Sequence, residues 1–160
     1  MKRILWQAPE GSVLVTVPCE PMRPGETESA YLDRIAQHAV GADPSLAACT
    51  RLPDVDTSAL PQDRRWRNQW RVIGGQVQPD VALCRAERLR EIRAERDARL
   101  AKADATKVKL DDIGTPAQIA AHHQYRQALR DLPIAVQTDL AAAATPDAVA
   151  ACNPIWPVEG

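Results

Sequence analysis

Phenylalanine is missing from this sequence altogether, and aromatic residues fill only 4% of its 160 positions. A large globular core would therefore have to be built from Leu, Ile, Val and Ala, which suit narrow helix-helix seams. The length accommodates a small domain with a helical extension. Neither charge sign is in excess: 20 Lys and Arg face 21 Asp and Glu, for a net charge of −1. That balance argues against a dedicated nucleic-acid binder, since neutralising phosphates requires a marked surplus of cations. No stretch approaches the ~20 apolar residues of a membrane span. The opening MKRILWQAPEGS has two basic residues but only a three-residue apolar run before Gln7, far short of a signal-peptide core. These absences predict a soluble protein made in a reducing cytoplasm.

Catalytic and metal-binding patterns are lacking as well. Cys19, Cys49, Cys84 and Cys152 show no CxxC spacing and have no histidine at zinc-ligand separation, so free and mostly buried thiols are expected. His122 and His123 are adjacent, which on a helix turns their side chains about 100° apart. They read as seam or surface residues, and His38 stands alone on its helix. Asp104, Asp111 and Asp112 lack the spacing that wraps oxygen ligands around calcium and read as linker and capping residues. Ser12, Ser29, Ser45 and Ser58 lie outside any G-x-S-x-G setting. No enzyme activity, cofactor or metal is expected.

Most prolines and glycines precede residue 81, whereas the next fifty residues are rich in Ala, Arg, Leu and Glu. The shift at Pro79-Asp80 divides a turn-rich head from a helical arm. In the head, Arg3 to Trp6 and Val13 to Val17 flank the turn residues Ala8 to Ser12, which predicts two antiparallel strands. Val13, Val15 and Val17 give one strongly apolar face. Its cover is expected from a helix over Glu28 to Val40, with Thr27 as N-cap, Leu32, Ile35, Ala36 and Ala39 as apolar stripe, and Gly41 as terminator. A third strand is expected around Ala47 to Leu52, with Trp6, Trp66 and Trp70 as candidate core residues.

The densest block is LPQDRRWRNQWRVIGGQVQPD, from Leu60 to Asp80. Trp66 and Trp70 are spaced i, i+4 and would share one face of a helical turn, with Arg67 and Arg71 beside them as a second such pair. Gly74-Gly75 predicts a hairpin between 71–73 and 76–78. Indoles flanked by guanidinium groups can stack on single-stranded nucleic acid. Asp54, Asp56 and Asp63 precede the Arg64 to Arg71 stretch and Asp80 follows it, so the local charge disfavours nucleic acid. The favoured reading is arginines stacked on tryptophans whose indoles lie in the core.

From Val81, Leu89, Ile92, Leu100 and Ala103 fall near 3-4 spacing among alternating arginines and glutamates, which predicts a long amphipathic helix with an imperfect seam at Arg96. Asp111, Asp112 and Gly114 mark a break, after which Thr115 and Pro116 open a second helix with Ile119, His122, Tyr125, Leu129 and Leu132 as its stripe. The two should pair as an antiparallel hairpin. Pro133 is expected to interrupt or kink the second helix. An alanine run, a short helix from Thr145-Pro146-Asp147 and a proline-flanked Trp156 follow; Trp156 packs back on the arm or onto another subunit. The predicted class is α+β: a small N-terminal antiparallel sheet with one helix, then a long antiparallel helical hairpin arm. The division is an α+β head over 1–80, the hairpin arm over 81–135, and a short helix with a proline-flanked tail over 136–160. So narrow a stripe buries little area alone, so oligomerisation or attachment to another chain is expected.

Several segments carry a resemblance: MKRILWQAPEGSVLVTVP, RPGETESAYLDRIAQHAV, LPQDRRWRNQWRVIGGQVQPD, and YRQALRDLP followed by the closing IWP. In this order the chain resembles small proteins encoded beside the tail-tip and tail-fibre genes of tailed bacteriophages. Tyr125 to Pro133, with the proline-flanked tryptophan, is similar to phage tail-fibre assembly chaperones. The arginine-rich helix and the stretch Val136 to Ala151 depart from the compact chaperone pattern. The resemblance implies a structural component of the tail tip or tail fibre, a connector docked on another tail protein, made in the bacterial host cytoplasm and retained in the virion. The alternative it implies is a tail-fibre assembly chaperone absent from the particle. Either partner would be a tail-tip or tail-fibre protein, met as several copies or as a homotrimer. The residues expected at such an interface are Trp66, Trp70, Arg67, Arg71, Leu89, Ile92, Leu100, Tyr125, Leu129 and Trp156.

Overall fold

The computed structural model describes residues 1–159, and the chain forms two compact units that meet in sequence at Asp80 and Val81. The first is organised by strand β1 (Lys2–Gln7), which pairs antiparallel with β2 (Val13–Thr16) along one edge. Its other edge is shared by two short strands, β3 (Thr50–Arg51) beside Trp6 and Gln7, and β4 (Val55–Asp56) beside Lys2 and Arg3. The third strand predicted over 47–52 is thus shorter, because a 3-10 turn occupies Pro44–Ala48, and β4 has no counterpart in the sequence reading.

Successive side chains of a strand point to opposite faces, and β1 buries both of its faces. Ile4 and Trp6 pack with Leu32, Ile35 and Ala36 of helix α1 (Glu28–Ala42) and with Leu46. Leu5 faces the other way, into a cluster with Val13, Leu60, Trp70 and Val77. The second cluster is closed by a separate hairpin of β5 (Trp70–Ile73) and β6 (Gln76–Pro79). Gly74 and Gly75, at φ +60° and +79°, make its two-residue turn, a backbone conformation that suits glycine. The apolar face expected from Val13, Val15 and Val17 is broken: β2 ends at Thr16, Val17 is 51% exposed, and Thr16 Oγ1 instead accepts a 2.9 Å hydrogen bond from Trp6 Nε1.

Thr27 caps α1 by accepting from the Ala30 N–H. Gly41 lies inside the helix and does not end it. The end is set by Asp43, whose N–H donates to Ala39 O while its carboxylate accepts from the Ser45 N–H and so starts the 3-10 turn. The loop before α1 is fastened by Arg34, which holds both oxygens of Glu26 at 2.9 Å and one of Glu20 at 2.6 Å. The bidentate pairing pulls the Glu26 carboxyl down to about 2, with the Arg34 hydrogen bonds as the main cause and the Arg23 N–H next.

The second unit contains α2 (Val81–Ile113), α3 (Pro116–Ala142) and α4 (Pro146–Ala151). Thr115 and Gln118 form a reciprocal capping box at the start of α3, with Pro116 in its first turn. Helix α3 runs through Pro133 without interruption, so of the break or kink expected there the break does not occur. Leu129, Leu132, Pro133, Val136 and Leu140 are all buried, so one continuous stripe crosses the proline and packing offsets the lost backbone hydrogen bond. It therefore also crosses 135–136, where the arm was expected to end. On α2 only Cys84, Ile92 and Ala103 are buried, with Leu89 and Leu100 half-buried, a seam as narrow as predicted. None of the four cysteines is in a disulfide, and Cys84 alone among them is buried, which corrects the expectation of mostly buried thiols.

Candidate functional site

In the head, the tryptophan block does not form the single helical turn that its spacing suggested. Trp66 precedes a 3-10 turn over Arg67–Gln69, and Trp70 already belongs to β5. Both rings are nevertheless interior, at 1% and 0% exposure. Arginines do stack on them as expected, but the guanidinium groups are those of Arg64 and Arg65 and not of the Arg67 and Arg71 pair. Arg65 lies 4.9 Å from the Trp66 ring centroid and Arg64 5.8 Å from that of Trp70. Arg67 and Arg71 turn elsewhere, lining with Asn68, Glu10, Ser12 and Asp43 a cleft of about 560 Å³. Arg71 Nη1 also donates to Trp70 O at 2.7 Å. Cations and carboxylates meet in this cleft, so it has no uniform sign of charge with which to attract a polyanion.

In the helical unit the predicted interface residues divide by burial. Ile92 and Leu129 lie wholly inside the seam. Leu89, Leu100, Tyr125 and Trp156 are half-buried and retain surface. Trp156 packs back on the arm, with the Arg99 guanidinium carbon 4.3 Å from its ring centroid. Arg126 joins α3 to α2 through an ion pair with Asp104, and His122 stands near the Tyr125 ring.

The residues that organise this unit are largely arginines which, read from sequence, looked like a solvated face. Arg85 donates twice to Ala143 O, at 3.1 and 2.8 Å, satisfying a carbonyl just beyond the end of α3. Arg88 donates to Cys152 O at 3.1 Å and to Asn153 Oδ1 at 2.8 Å, while its third nitrogen holds Glu91. His122 is buried at 4% exposure, and its Nδ1 lies 3.3 Å from Glu159 Oε1. A signal for the arginines existed. Spacings of 3 and 11 residues are close to whole helical turns, so Arg85, Arg88 and Arg99 share one side of α2. That His122 and Glu159 meet had no such signal.

Among the described residues, no group of three or more His, Cys, Asp or Glu is placed to hold a metal ion, and no helix is long and apolar enough to cross a membrane. Half-buried side chains and arginine clamps on the chain's own backbone extend from the seam residues of α2 to Glu159. Residues 89–159 match the phage tail assembly chaperone protein family. The match covers just under half of the chain, from Leu89 in α2 through α3 and α4 to Glu159, and includes none of the head. Neither the curated proteins nor the solved structures yield a match. The helical unit is thus similar to a phage tail assembly chaperone.

Proposed function

We propose that this protein is a phage tail assembly chaperone, which holds a tail-tip or tail-fibre protein through its helical unit in the host cytoplasm until assembly and performs no catalysis. The family match over residues 89–159 carries this reading. It also favours a chaperone over the permanent connector that the opening segments of the chain suggested. The narrow seam adds support: 33 residues of α2 bury only three side chains fully, so the arm has apolar stem and half-buried surface to offer a partner. Leu89, Leu100, Tyr125 and Trp156 would supply the contact, with Ile92 and Leu129 holding the scaffold beneath them. Trp66 and Trp70 support the head from within, and Arg67 and Arg71 give it a polar surface beside them.

Deletion of the gene from its phage, with mass spectrometry of purified wild-type particles, tests this directly. A chaperone is missing from the particle, yet its loss leaves tails malformed, and it co-purifies with one tail protein before assembly. Stoichiometric peptides of this chain in intact particles would replace the chaperone with the connector.

A further inference from the structure

Beyond α4 the chain from Asn153 to Glu159 has no regular secondary structure and is held at three places on the helical hairpin. Arg88 of α2 grips Cys152 O and Asn153 Oδ1, Arg99 of α2 lies against the Trp156 ring, and His122 of α3 meets the Glu159 carboxylate. Arg88 and Arg99 are eleven residues apart, about 16 Å along the helix. The segment therefore runs parallel to α2 and ends against α3. Pro154 and Pro157 favour an extended, polyproline-like course that leaves its backbone unpaired by regular structure. Each hold is a reversible polar or cation-π contact. Little apolar surface is gained in return: Ile155 and Val158 are 93% and 87% exposed, and Trp156 is only half-buried.

These holds make a recognition pattern. A guanidinium takes an aromatic ring, a second guanidinium takes a main-chain carbonyl and a side-chain amide, and a buried imidazole with no aligned hydrogen bond of its own takes a carboxylate. We propose that the seam of α2 and α3 is a peptide-binding site for an extended partner segment bearing an aromatic ring and a carboxylate, occupied in cis by residues 153–159 as a displaceable strap. This rests on the chaperone reading for the source of the segment, a tail protein, but not for the site itself. Docking of an extended proline-containing segment with one aromatic anchor is a recurring mode of peptide recognition. The tether gives the strap an effective concentration in the millimolar range, so an incoming segment must outbid it.

The test uses a synthetic peptide of residues 153–159 with both ends blocked, titrated by NMR into the isotopically labelled full chain and into its Trp156→Ala variant. A strap closed about nine-tenths of the time weakens binding in trans about tenfold. The Trp156→Ala chain should therefore bind the peptide about tenfold more tightly than the parent, with shifts centred on Arg88, Arg99 and His122. Adding Arg99→Ala to that variant should weaken binding, and so should Trp156→Ala in the peptide. Circular dichroism of both variants confirms their helices. Absence of binding up to about 5 mM, above the strap's own effective concentration, overturns the proposal; so does equal affinity for parent and variant, or binding elsewhere. No tail protein is present in the assay, so its failure leaves the chaperone reading to the particle analysis. Malformed tails would not rescue the peptide site.

Discussion

Replacing Trp70 with alanine should cost the head most of its stability while sparing the helical unit. The ring has no exposed surface and stands among Leu5, Val13, Leu60 and Val77, where β1 meets the β5–β6 hairpin. Truncating a buried tryptophan costs about 3–5 kcal/mol, from lost transfer free energy and from the cavity left behind. A unit of about 80 residues, at roughly 0.05–0.15 kcal/mol per residue, has only about 4–12 kcal/mol in total. One substitution therefore removes between a quarter and all of it, and Trp66→Ala in addition should leave the head unfolded. Urea unfolding followed by near-ultraviolet circular dichroism reads the head. With a slope of about 1–3 kcal/mol per molar, Trp70→Ala should lower its midpoint by about 1–5 M. The helical signal at 222 nm should mostly persist, since α2, α3 and α4 form their own compact unit. A Trp70→Ala head whose midpoint moves by less than about 0.3 M would refute the reasoning, and would mean that the indole serves a partner and not the core.

The Arg34–Glu26 clamp predicts an acid transition in the same unit. The folded carboxyl sits near 2 against an ordinary 4.5, so its contribution is complete above about pH 4.5 and is lost as the pH falls toward 2. Glu26→Gln should flatten that part of the stability profile, measured as the urea midpoint between pH 5 and 2; an unchanged slope would remove the clamp from the account. At the link between α2 and α3, a Cβ on Gly114 would stand 2.5 Å from Leu110 O, with backbone that cannot move aside cheaply. Gly114→Ala should therefore destabilise the hairpin by about 1–3 kcal/mol, seen in its thermal melt; a melt within a degree of the parent would show that the link relaxes freely. Thr115→Ala removes the capping box and should cost about 1 kcal/mol, with faster hydrogen exchange confined to the first turn of α3. Uniform protection across that turn would contradict it.

Local features were the ones most legible beforehand. The Gly-Gly hairpin, the Thr27 and Thr115 caps and Pro116 in the first turn of its helix follow from backbone preferences that act within a few residues. Where reading failed, another residue had intervened, in some cases close in sequence and in others distant. Gly41 has a helix-ending composition, but Asp43 two residues later offers a carboxylate to the next turn and becomes the stop. Pro133 was expected to interrupt or kink α3, but the buried stripe on both sides of it continues the helix without a break. Trp66 and Trp70 suggested a helical face, but Trp70 is needed as a strand residue under β1.

By itself, then, the sequence determined an α+β head followed by a helical hairpin, the N-terminal caps of its helices, the Gly-Gly turn and the absence of catalytic spacing motifs, because those depend on short-range sterics and periodicity. Only the tertiary structure decided which arginines do structural work. Arg64 and Arg65 stack on the indoles, Arg34 clamps a loop, and Arg85, Arg88 and Arg99 hold the chain that returns along α2. A guanidinium on a long flexible stem can reach a carbonyl, a carboxylate or a ring, and nothing in its immediate neighbours says which one the fold will bring within range.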